Sequence, residues 1–480
     1  MTSGFVGRSV ELGLLQTRFQ RVAESKAGIA LAIRGRRQVG KSRLVQEFCD
    51  TAQVPYLYFT ATKGMSVSES LMTFLTELRC SGIAHDPEAL PESVGGWPDA
   101  LRALATALGD TPTIVVIDEL PWLAEQDDVF DGALQTAWDR LLRQRPILLL
   151  LLGSDIHMME RLTAYDRPFY GRADNLVLDP LNPAEVGRAL GLDAADSIDA
   201  HLITGGLPGI LRSWPHGLPP LDFVQRECRD PAAPLFGVPE STLLAEFPAP
   251  DQARRVLEAI GSGERTHATI AATAGSRSGA LPSGTLSPIL QRLSTDKQVL
   301  SVDQPLSVKP GKPALYRVAD SNLRLYLATL RSAQDLVRRG RSAAAYELFT
   351  RRWTSWRGKA VEPLIRDALE LTALSGALPW KEVGAVGGWW NRAFNPEIDL
   401  IGADRSPVAN KLIFAGSIKW LGTPFDRHDL AELTRAIAVV PGFEARETAL
   451  LIVSLTDIEQ TVVDSVDLVW NASDVLSAWS

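Results

Sequence analysis

The chain has 480 residues, of which 45% are hydrophobic and 22% are charged, so it is long enough for several domains with packed cores. Its three cysteines, Cys49, Cys80 and Cys228, form no C-x-x-C pair, which argues against a zinc site or a disulfide framework. The beginning of the chain lacks a signal-peptide pattern, and the longest apolar run, residues 147–152, is too short to span a bilayer. We therefore expect a cytoplasmic protein with no membrane partner.

The net charge of −8 is unevenly distributed along the chain. Residues 251–360 contain 18 Lys or Arg and 8 Asp or Glu, a net charge of +10, so the rest of the chain carries −18. Such asymmetry is typical of a surface that faces a polyanion such as DNA. A basic helical face packed on an acidic neighbouring domain explains it equally well, and both interpretations stay open.

The first 180 residues alternate strand-like and helix-like segments. Apolar runs at residues 29–34, 55–60, 114–117, 147–152 and 175–178 predict five strands, with helical patterns between them. This alternation is the signature of βαβ units and a parallel sheet, so we expect an α/β fold.

A phosphate-binding loop follows the first predicted strand. Residues 35–42 read G-R-R-Q-V-G-K-S, a full match to the Walker A pattern between a strand and a helix. Gly35 and Gly40 let the backbone turn its N–H groups inward, Lys41 is placed to reach the β- and γ-phosphates, and the Ser42 hydroxyl is placed to ligate Mg²⁺. A plain glycine-rich turn leaves the Lys-Ser pair unexplained. The predicted nucleotide-binding residues of this segment are Gly35, Arg36, Arg37, Gln38, Val39, Gly40, Lys41, Ser42 and Arg43.

The third predicted strand ends in Asp118-Glu119, which fits a Walker B motif. In this interpretation Asp118 holds Mg²⁺, and Glu119 polarises the attacking water as general base. A strand that ends in a solvated acidic pair is the alternative. Together with the loop, the pair predicts a site for ATP, ADP and Mg²⁺.

Three further residues are candidates for the same site. Ser154 follows the fourth strand and is interpreted as a γ-phosphate sensor, although a helix N-cap is nearly as good a local interpretation. Arg172 is a candidate arginine finger in catalysis, or else a surface arginine paired with Asp174. Pro208, in the turn 204–209, is expected to pack on the base within a helical lid; a simple connection between helices is the alternative.

Residues 241–330 have a different rhythm. Helical patterns at 251–260, 268–274 and 285–293 precede strands at 299–302 and 314–318, which predicts a winged helix–turn–helix. The candidate DNA contacts are Arg277, Arg292, Lys309 and Lys312. Winged helices also serve as protein-contact modules, so a DNA role is one of two interpretations.

The complete prediction has five parts. They are a P-loop ATPase core at 1–180, a helical lid at 181–240, the winged helix at 241–330, a basic helical connector at 331–350 and a second α/β domain at 351–480.

Several motifs together resemble the archaeal-type AAA+/STAND-like ATPases. They are F-V-G-R at 5–8, the Walker A loop, I-D-E-L-P-W at 117–122, F-Y-G-R at 169–172 and G-G-L-P at 205–208. The resemblance implies ATP hydrolysis, contact of the 5–8 segment with adenine, a winged helix, and a C-terminal domain of restriction-endonuclease-like fold.

In that C-terminal domain the resemblance implies a nuclease-type set of acids and a lysine. Glu362, Asp399 and Lys419 match it, but Ser417 occupies the position of the acid two residues before the lysine. Loss of a carboxylate weakens a hard-cation site. Glu397 shares a strand face with Asp399 and is the one conceivable substitute. We expect a remnant that binds a partner protein or nucleic acid without cleaving it.

Three functions were weighed: a regulatory ATPase that couples nucleotide state to domain movement, a slow nucleotide-dependent switch, and a nucleic-acid-processing protein. The complete Walker set favours the first, with the second as runner-up, and the oligomeric state is left open.

Overall fold

The computed structural model describes residues 5, 7–84, 86–154, 158–160, 165, 169–247, 252–275, 279–311 and 313–479. The chain divides into two compact units, Met1–Pro180 and Leu181–Ser480. No helix among these residues combines the length and apolar character needed to cross a membrane.

The first unit is built on a five-stranded sheet in the order β2-β3-β4-β1-β5, in which every neighbouring pair is parallel. The strands are β1 Ile29–Arg34, β2 Tyr56–Thr60, β3 Thr113–Asp118, β4 Ile147–Gly153 and β5 Ala173–Val177. Every residue of β3 and β4 is buried, as expected for apolar central strands covered on both faces. The predicted α/β fold with a parallel sheet is confirmed, with strand ends shifted by at most two residues.

Helices cover this sheet. They are α1 Ser9–Ser25, α2 Lys41–Ala52, α3 Val67–Cys80, α4 Trp97–Ala107, α5 Pro121–Gln126 and α6 Phe130–Ala137. Trp97 is fully buried and packs edge-on against Phe74 and Phe130, with ring centroids 5.6 and 5.1 Å away. This aromatic cluster fixes the helices on one side of the sheet and so holds the strand ends in place.

The second unit begins with helices. They are α7 Pro183–Leu190, α8 Ala194–Thr204, α9 Pro208–Leu211, α10 Pro220–Glu227 and α11 Pro234–Glu246. A capping box between Asn182 and Glu185 starts α7. The segment predicted as a helical lid is therefore helical; its role as a lid is not tested by these elements.

Three helices and a two-stranded antiparallel sheet follow. They are α12 Gln252–Gly261, α13 His267–Thr273, α14 Ser283–Gln291, β6 Leu300–Asp303 and β7 Leu315–Val318. These are the elements predicted for the winged helix. The loop between β6 and β7 is anchored rather than free, because Leu306 N–H donates to the Gly388 carbonyl at 2.9 Å and the Trp390 indole donates to the Pro313 carbonyl at 2.7 Å.

The rest of the unit comprises long helices and a mixed sheet. The elements are α15 Ser321–Leu325, α16 Arg331–Arg338, α17 Ser342–Leu374, β8 Ala385–Trp390, β9 Glu397–Ala403, β10 Leu412–Lys419, α18 Arg427–Ile437, β11 Ala449–Ser454, α19 Gln460–Val463, β12 Leu468–Trp470 and α20 Ala472–Ser477. The sheet order is β12-β11-β10-β9-β8, with β8, β9 and β10 antiparallel and β10, β11 and β12 parallel. Because α17 is continuous through residue 350, the predicted boundary between connector and C-terminal domain lies inside one helix.

Candidate functional site

The loop after β1 has the backbone that its glycines were predicted to allow. A Cβ atom on Gly35 would lie 2.3 Å from the Leu178 carbonyl oxygen, so no larger residue fits there. Gly40 directly precedes α2 and has a φ of 93°, an angle that residues with an L side chain rarely adopt. The N–H groups of the first turn of α2 are left for a ligand, since Gly40 offers no side-chain cap.

Lys41 lies inside this loop. Its side chain is buried, and its ammonium group donates to the carbonyl oxygens of Gly35 at 2.7 Å and Arg36 at 3.0 Å. Burial lowers the pKa of Lys41 to about 8, although Glu119 and Asp118 oppose the shift by Coulomb attraction. The lysine is therefore held over the loop by neutral carbonyls, and a phosphate group offers it a stronger partner.

The other loop residues differ in exposure. Arg37, Gln38, Ser42 and Arg43 are exposed, whereas Val39 is buried. Arg43 pairs with Glu47, four residues further along α2, at 3.0 Å. The Ser42 hydroxyl is thus accessible at the start of the helix, as a metal ligand must be.

Arg8 supports the loop from outside, a contact that the sequence did not predict. Its buried guanidinium donates to the Val39 carbonyl at 3.0 Å and to the Asp179 carbonyl, and it pairs with Glu11 at 2.9 Å. The G-R pair ahead of α1 was the available signal, but nothing local in the sequence shows that it reaches residue 39.

Asp118 ends β3 and is bonded to Tyr58, a second residue that sequence reasoning missed. The Tyr58 hydroxyl donates to Asp118 Oδ2 at 2.9 Å and lies 3.4 Å from the Ser42 carbonyl oxygen. Burial and the adjacent Asp118 raise the pKa of Tyr58, so the phenol keeps its proton. The Tyr58 hydroxyl therefore lies between Ser42 and Asp118, the two residues predicted to hold Mg²⁺. The exposed Ser42 hydroxyl and the buried Asp118 carboxylate are oxygen ligands of the kind that Mg²⁺ takes.

Glu119 and Ser154 meet at the ends of neighbouring strands. The Ser154 hydroxyl donates to Glu119 Oε1 at 2.6 Å. Glu119 has a φ of 54°, an uncommon conformation for a residue other than glycine, at the point where the chain leaves β3. The structure thus joins the predicted sensor to the predicted base.

Arg172 forms a bidentate ion pair with Asp139, with Nε–Oδ1 at 2.9 Å and Nη2–Oδ2 at 2.8 Å. The alternative partner named from the sequence, Asp174, is wrong, because Asp174 pairs with Arg18. The finger role of Arg172 stays a prediction.

The remaining candidates lie in the second unit. Pro208 is the first residue of α9, where proline suits a helix start, and its nucleotide contact stays a prediction. Arg292 begins a π-helical turn after α14, and Lys309 is exposed in the β6–β7 loop. Arg277 and Lys312 lie outside the described residues.

The nuclease-like residues of the C-terminal sheet partly converge. A cavity of about 640 Å³ is lined by Glu397, Asp399, Ser417 and Lys419. Asp399 Oδ2 accepts from the Ser417 hydroxyl at 2.9 Å and from the Ile418 N–H at 3.0 Å. The serine that replaces the expected acid is therefore bonded to the acid that remains.

Cations neutralise the other acids of this set. Glu362 is buried between Lys359 at 3.1 Å and Arg366 at 3.3 Å, and burial together with Asp399 raises its pKa. Glu397 pairs with Arg265 at 3.0 Å. Lys419 pairs with Asp429. No group of three potential metal-ligating side chains occurs among the described parts of the chain, and Glu397 is not available as a substitute ligand while it pairs with Arg265.

Comparison with known proteins agrees with this geometry. Residues 4–151 match the family described as "AAA ATPase domain", and residues 326–429 match "Archaea bacterial proteins of unknown function". No curated protein matches the chain significantly.

Solved structures with a similar fold include three archaeal proteins. The Walker-type ATPase PABY2304 of Pyrococcus abyssi is 18% identical, over 67% of this chain and 96% of its own, with a TM-score of 0.44. The ORC2 protein of Aeropyrum pernix is 13% identical, over 70% of this chain and 95% of its own, with a TM-score of 0.44. The STAND protein PH0952 of Pyrococcus horikoshii is 13% identical, over 77% of this chain and 51% of its own, with a TM-score of 0.31.

These structural similarities are too low to carry a functional conclusion. The first unit therefore contains a segment, residues 4–151, that is similar to AAA ATPase domains and carries a complete Walker A loop, and residues 326–429 are similar to a family of unknown function.

Proposed function

We propose that the protein is a Mg²⁺-dependent ATP-hydrolysing regulatory ATPase. The observation that carries this proposal is the convergence of Lys41, Asp118, Glu119 and Ser154 at the carboxyl edge of one parallel sheet. Ligands bind at this edge in open α/β sheets. The hydrogen bond between Ser154 and Glu119 joins two groups that are 35 residues apart in sequence, which a plain acidic strand end does not explain.

Each group has a definite task in hydrolysis. The loop amides and Lys41 bind the phosphates, and Ser42 and Asp118 hold the metal, which neutralises charge on the phosphates when bound. Tyr58 keeps the Asp118 carboxylate oriented. Glu119 accepts a hydrogen bond from the attacking water, and Ser154 sets the position of that carboxylate.

Steady-state phosphate release tests the proposal. The wild-type chain should release phosphate from ATP with Mg²⁺ and not with EDTA. Lys41→Ala should abolish release, because the loop loses its charge on the β- and γ-phosphates. Lys381→Ala removes an exposed lysine of the second unit and serves as the control. Equal rates in Lys41→Ala and the control would refute the assignment.

The proposal includes coupling of nucleotide state to movement of the three-helix segment α12–α14 and of the C-terminal domain, with DNA as the target. The +10 charge of residues 251–360 and the helices followed by β6 and β7 support this part. A DNA titration over a series of salt concentrations tests it. Absence of binding at low salt, with either ATP or ADP present, would remove DNA from the proposal.

A slow nucleotide switch is the second candidate. The observation that favours it is the 2.6 Å bond that Ser154 donates to Glu119 Oε1, since a hydrogen bond to a carboxylate lowers its basicity and so slows general-base catalysis. Nucleotide analysis of the purified protein distinguishes the two functions. Stoichiometric bound nucleotide with negligible turnover supports the switch; rapid multiple turnover supports the ATPase.

We further propose that the C-terminal domain is a restriction-endonuclease-like remnant without cleavage activity. The support is that Glu362 and Glu397, which lie where a nuclease needs metal ligands, pair with protein cations, and that Lys419, at the position of the nuclease lysine, pairs with Asp429. Incubation with supercoiled, linear and single-stranded DNA in Mg²⁺ or Mn²⁺ tests this. Cleavage that Asp399→Ala abolishes would contradict it.

A further inference from the structure

A cavity of about 720 Å³ in the second unit is not used by any function above. Its walls come from the end of α12, from β6 and β7, from the turn 326–330 and from α17. Glu397 lies between this cavity and the one around Asp399. The volume falls within the ~300–1,000 Å³ typical of small-molecule sites.

The described lining of this cavity is strongly basic. It carries six cationic side chains and three carboxylates, a net charge of +3; they are Arg265, Arg317, Arg324, Arg352, Lys359 and Arg366, against Asp303, Glu362 and Glu397. Each carboxylate is already paired with a cation of the lining, at 3.0 to 3.1 Å for the shortest contact of each. The excess positive charge therefore has no counterion within the described walls.

Arg324 and Arg352 are the two arginines without a carboxylate partner among the described residues. Arg324 donates to the Lys359 carbonyl oxygen at 3.2 Å, and Arg352 donates to the Ala328 carbonyl oxygen at 2.9 Å. Each bond uses only part of the five-donor guanidinium fork. Two sets of donors in the lining of one cavity are thus left for an anion.

Burial makes this arrangement costly for the empty protein. Desolvation, together with the neighbouring Arg317, lowers the pKa of Arg324 to about 10. An oxyanion in the cavity supplies the counterion that this guanidinium lacks.

Aromatic surface accompanies the charge. Trp356 stacks on Trp353 with ring centroids 5.6 Å apart, and Tyr316 and Trp390 are further aromatic residues of the lining. An inorganic anion needs neither this surface nor this volume, whereas a nucleotide has both a phosphate and a flat apolar base.

We propose that this cavity binds a nucleotide phosphate, either free or at the end of a nucleic-acid strand, through Arg324 and Arg352. The site is separate from the P-loop and does not depend on ATP hydrolysis. It gives the basic stretch of the second unit a defined ligand rather than a diffuse electrostatic role.

Isothermal titration of the full chain at low salt tests the proposal with three probes: AMP, a 5′-phosphorylated single-stranded trinucleotide and inorganic phosphate. AMP or the trinucleotide should bind at one site, and the tighter of the two identifies the source. Binding should persist in Lys41→Ala, which separates this site from the P-loop. No binding of either nucleotide, or phosphate binding as tight as AMP, would overturn the proposal.

Neighbouring arginines supply a matched pair of variants. Arg352→Gln should weaken binding by about tenfold or more, because a charge-assisted bond to phosphate is lost. Arg351→Gln makes the same change on the adjacent residue, which pairs with Glu347 and is not part of the described cavity lining, and should leave affinity unchanged. Arg324→Gln should weaken binding further, and if that variant misfolds the exposed Arg352 still decides the result. Equal losses in the 351 and 352 variants would contradict a specific site.

Discussion

Two clusters of acids and lysine occur in this chain, and they differ in what neutralises them. Among the described residues of the first unit, Asp118 and Glu119 accept hydrogen bonds from hydroxyl and N–H donors and from no cation, and Lys41 is held by carbonyls. In the C-terminal domain, Glu362 on α17 pairs with Arg366, and Lys419 at the end of β10 pairs with Asp429. The comparison teaches that similar residue types make a ligand site only where no oppositely charged protein side chain already neutralises them.

The same substitution in each cluster should give opposite results. Glu119→Gln should lower kcat by about 10²–10⁴-fold, as loss of a general base does, with ATP affinity retained. Glu362→Gln should leave hydrolysis unchanged and reduce the free energy of unfolding by about 1–3 kcal/mol, because Arg366 and Lys359 lose a buried partner. Phosphate release and thermal unfolding of both variants check this. A loss of kcat in the 362 variant would break the comparison.

Two tyrosines on β2 sharpen the account of the first cluster. Tyr58→Phe removes the hydroxyl that bridges Asp118 and Ser42, and should lower kcat at limiting Mg²⁺ by about tenfold, the effect of one lost bond to a charged group. Tyr56→Phe removes a hydroxyl bonded to Asp50 at 3.1 Å, two residues away on the same strand, and should have no such effect. A Mg²⁺ titration of the rate separates a metal effect from a folding effect.

The burial of Lys41, which lowers its pKa to about 8, predicts a pH dependence of ATP binding. Below pH 8 the ammonium group is already protonated in the free protein, so affinity should be flat. Above pH 8 the free lysine is increasingly neutral, and the phosphates must recruit a proton, so affinity should fall by about tenfold per pH unit. Titration in two buffers of different ionisation enthalpy should show proton uptake at pH 9.

Lys41→Arg provides the control for this linkage, because an arginine stays charged throughout the range. Its ATP affinity, weaker or not, should not change between pH 7 and 9.5. A flat profile for the wild-type chain would show that Lys41 is protonated throughout.

The smallest effect concerns Arg172. If its function is the ion pair alone, Arg172→Ala and Asp139→Asn should both cost about 1 kcal/mol or less and leave kcat unchanged. If it is an arginine finger, only the Arg172 variant should lose activity. Rates and unfolding midpoints of the two variants distinguish these outcomes.

The sequence predicted the first sheet and most of its site because the signals there are local. Apolar runs marked the strands, the Walker A pattern marked the loop, and the residue after the fourth strand marked Ser154. Tyr58 and Arg8 escaped prediction because their partners lie 60 and 31 residues away. Only the strand order, with β2 beside β3, brings Tyr58 to Asp118. The ion pair between Arg366 and Glu362 also escaped prediction. An arginine one turn further along a helix is, from the sequence alone, as easily a solvent-exposed residue as a partner of the glutamate.

The anchored β6–β7 loop has a mechanical consequence. Leu306 is buried in the core of the C-terminal sheet, and Ser307 forms an isolated bridge with Val408. Together with the hydrogen bond from Trp390 to Pro313, these contacts hold the β6–β7 hairpin against that sheet. We therefore expect a force that a bound partner exerts on α12–α14 to reach the C-terminal sheet through this hairpin.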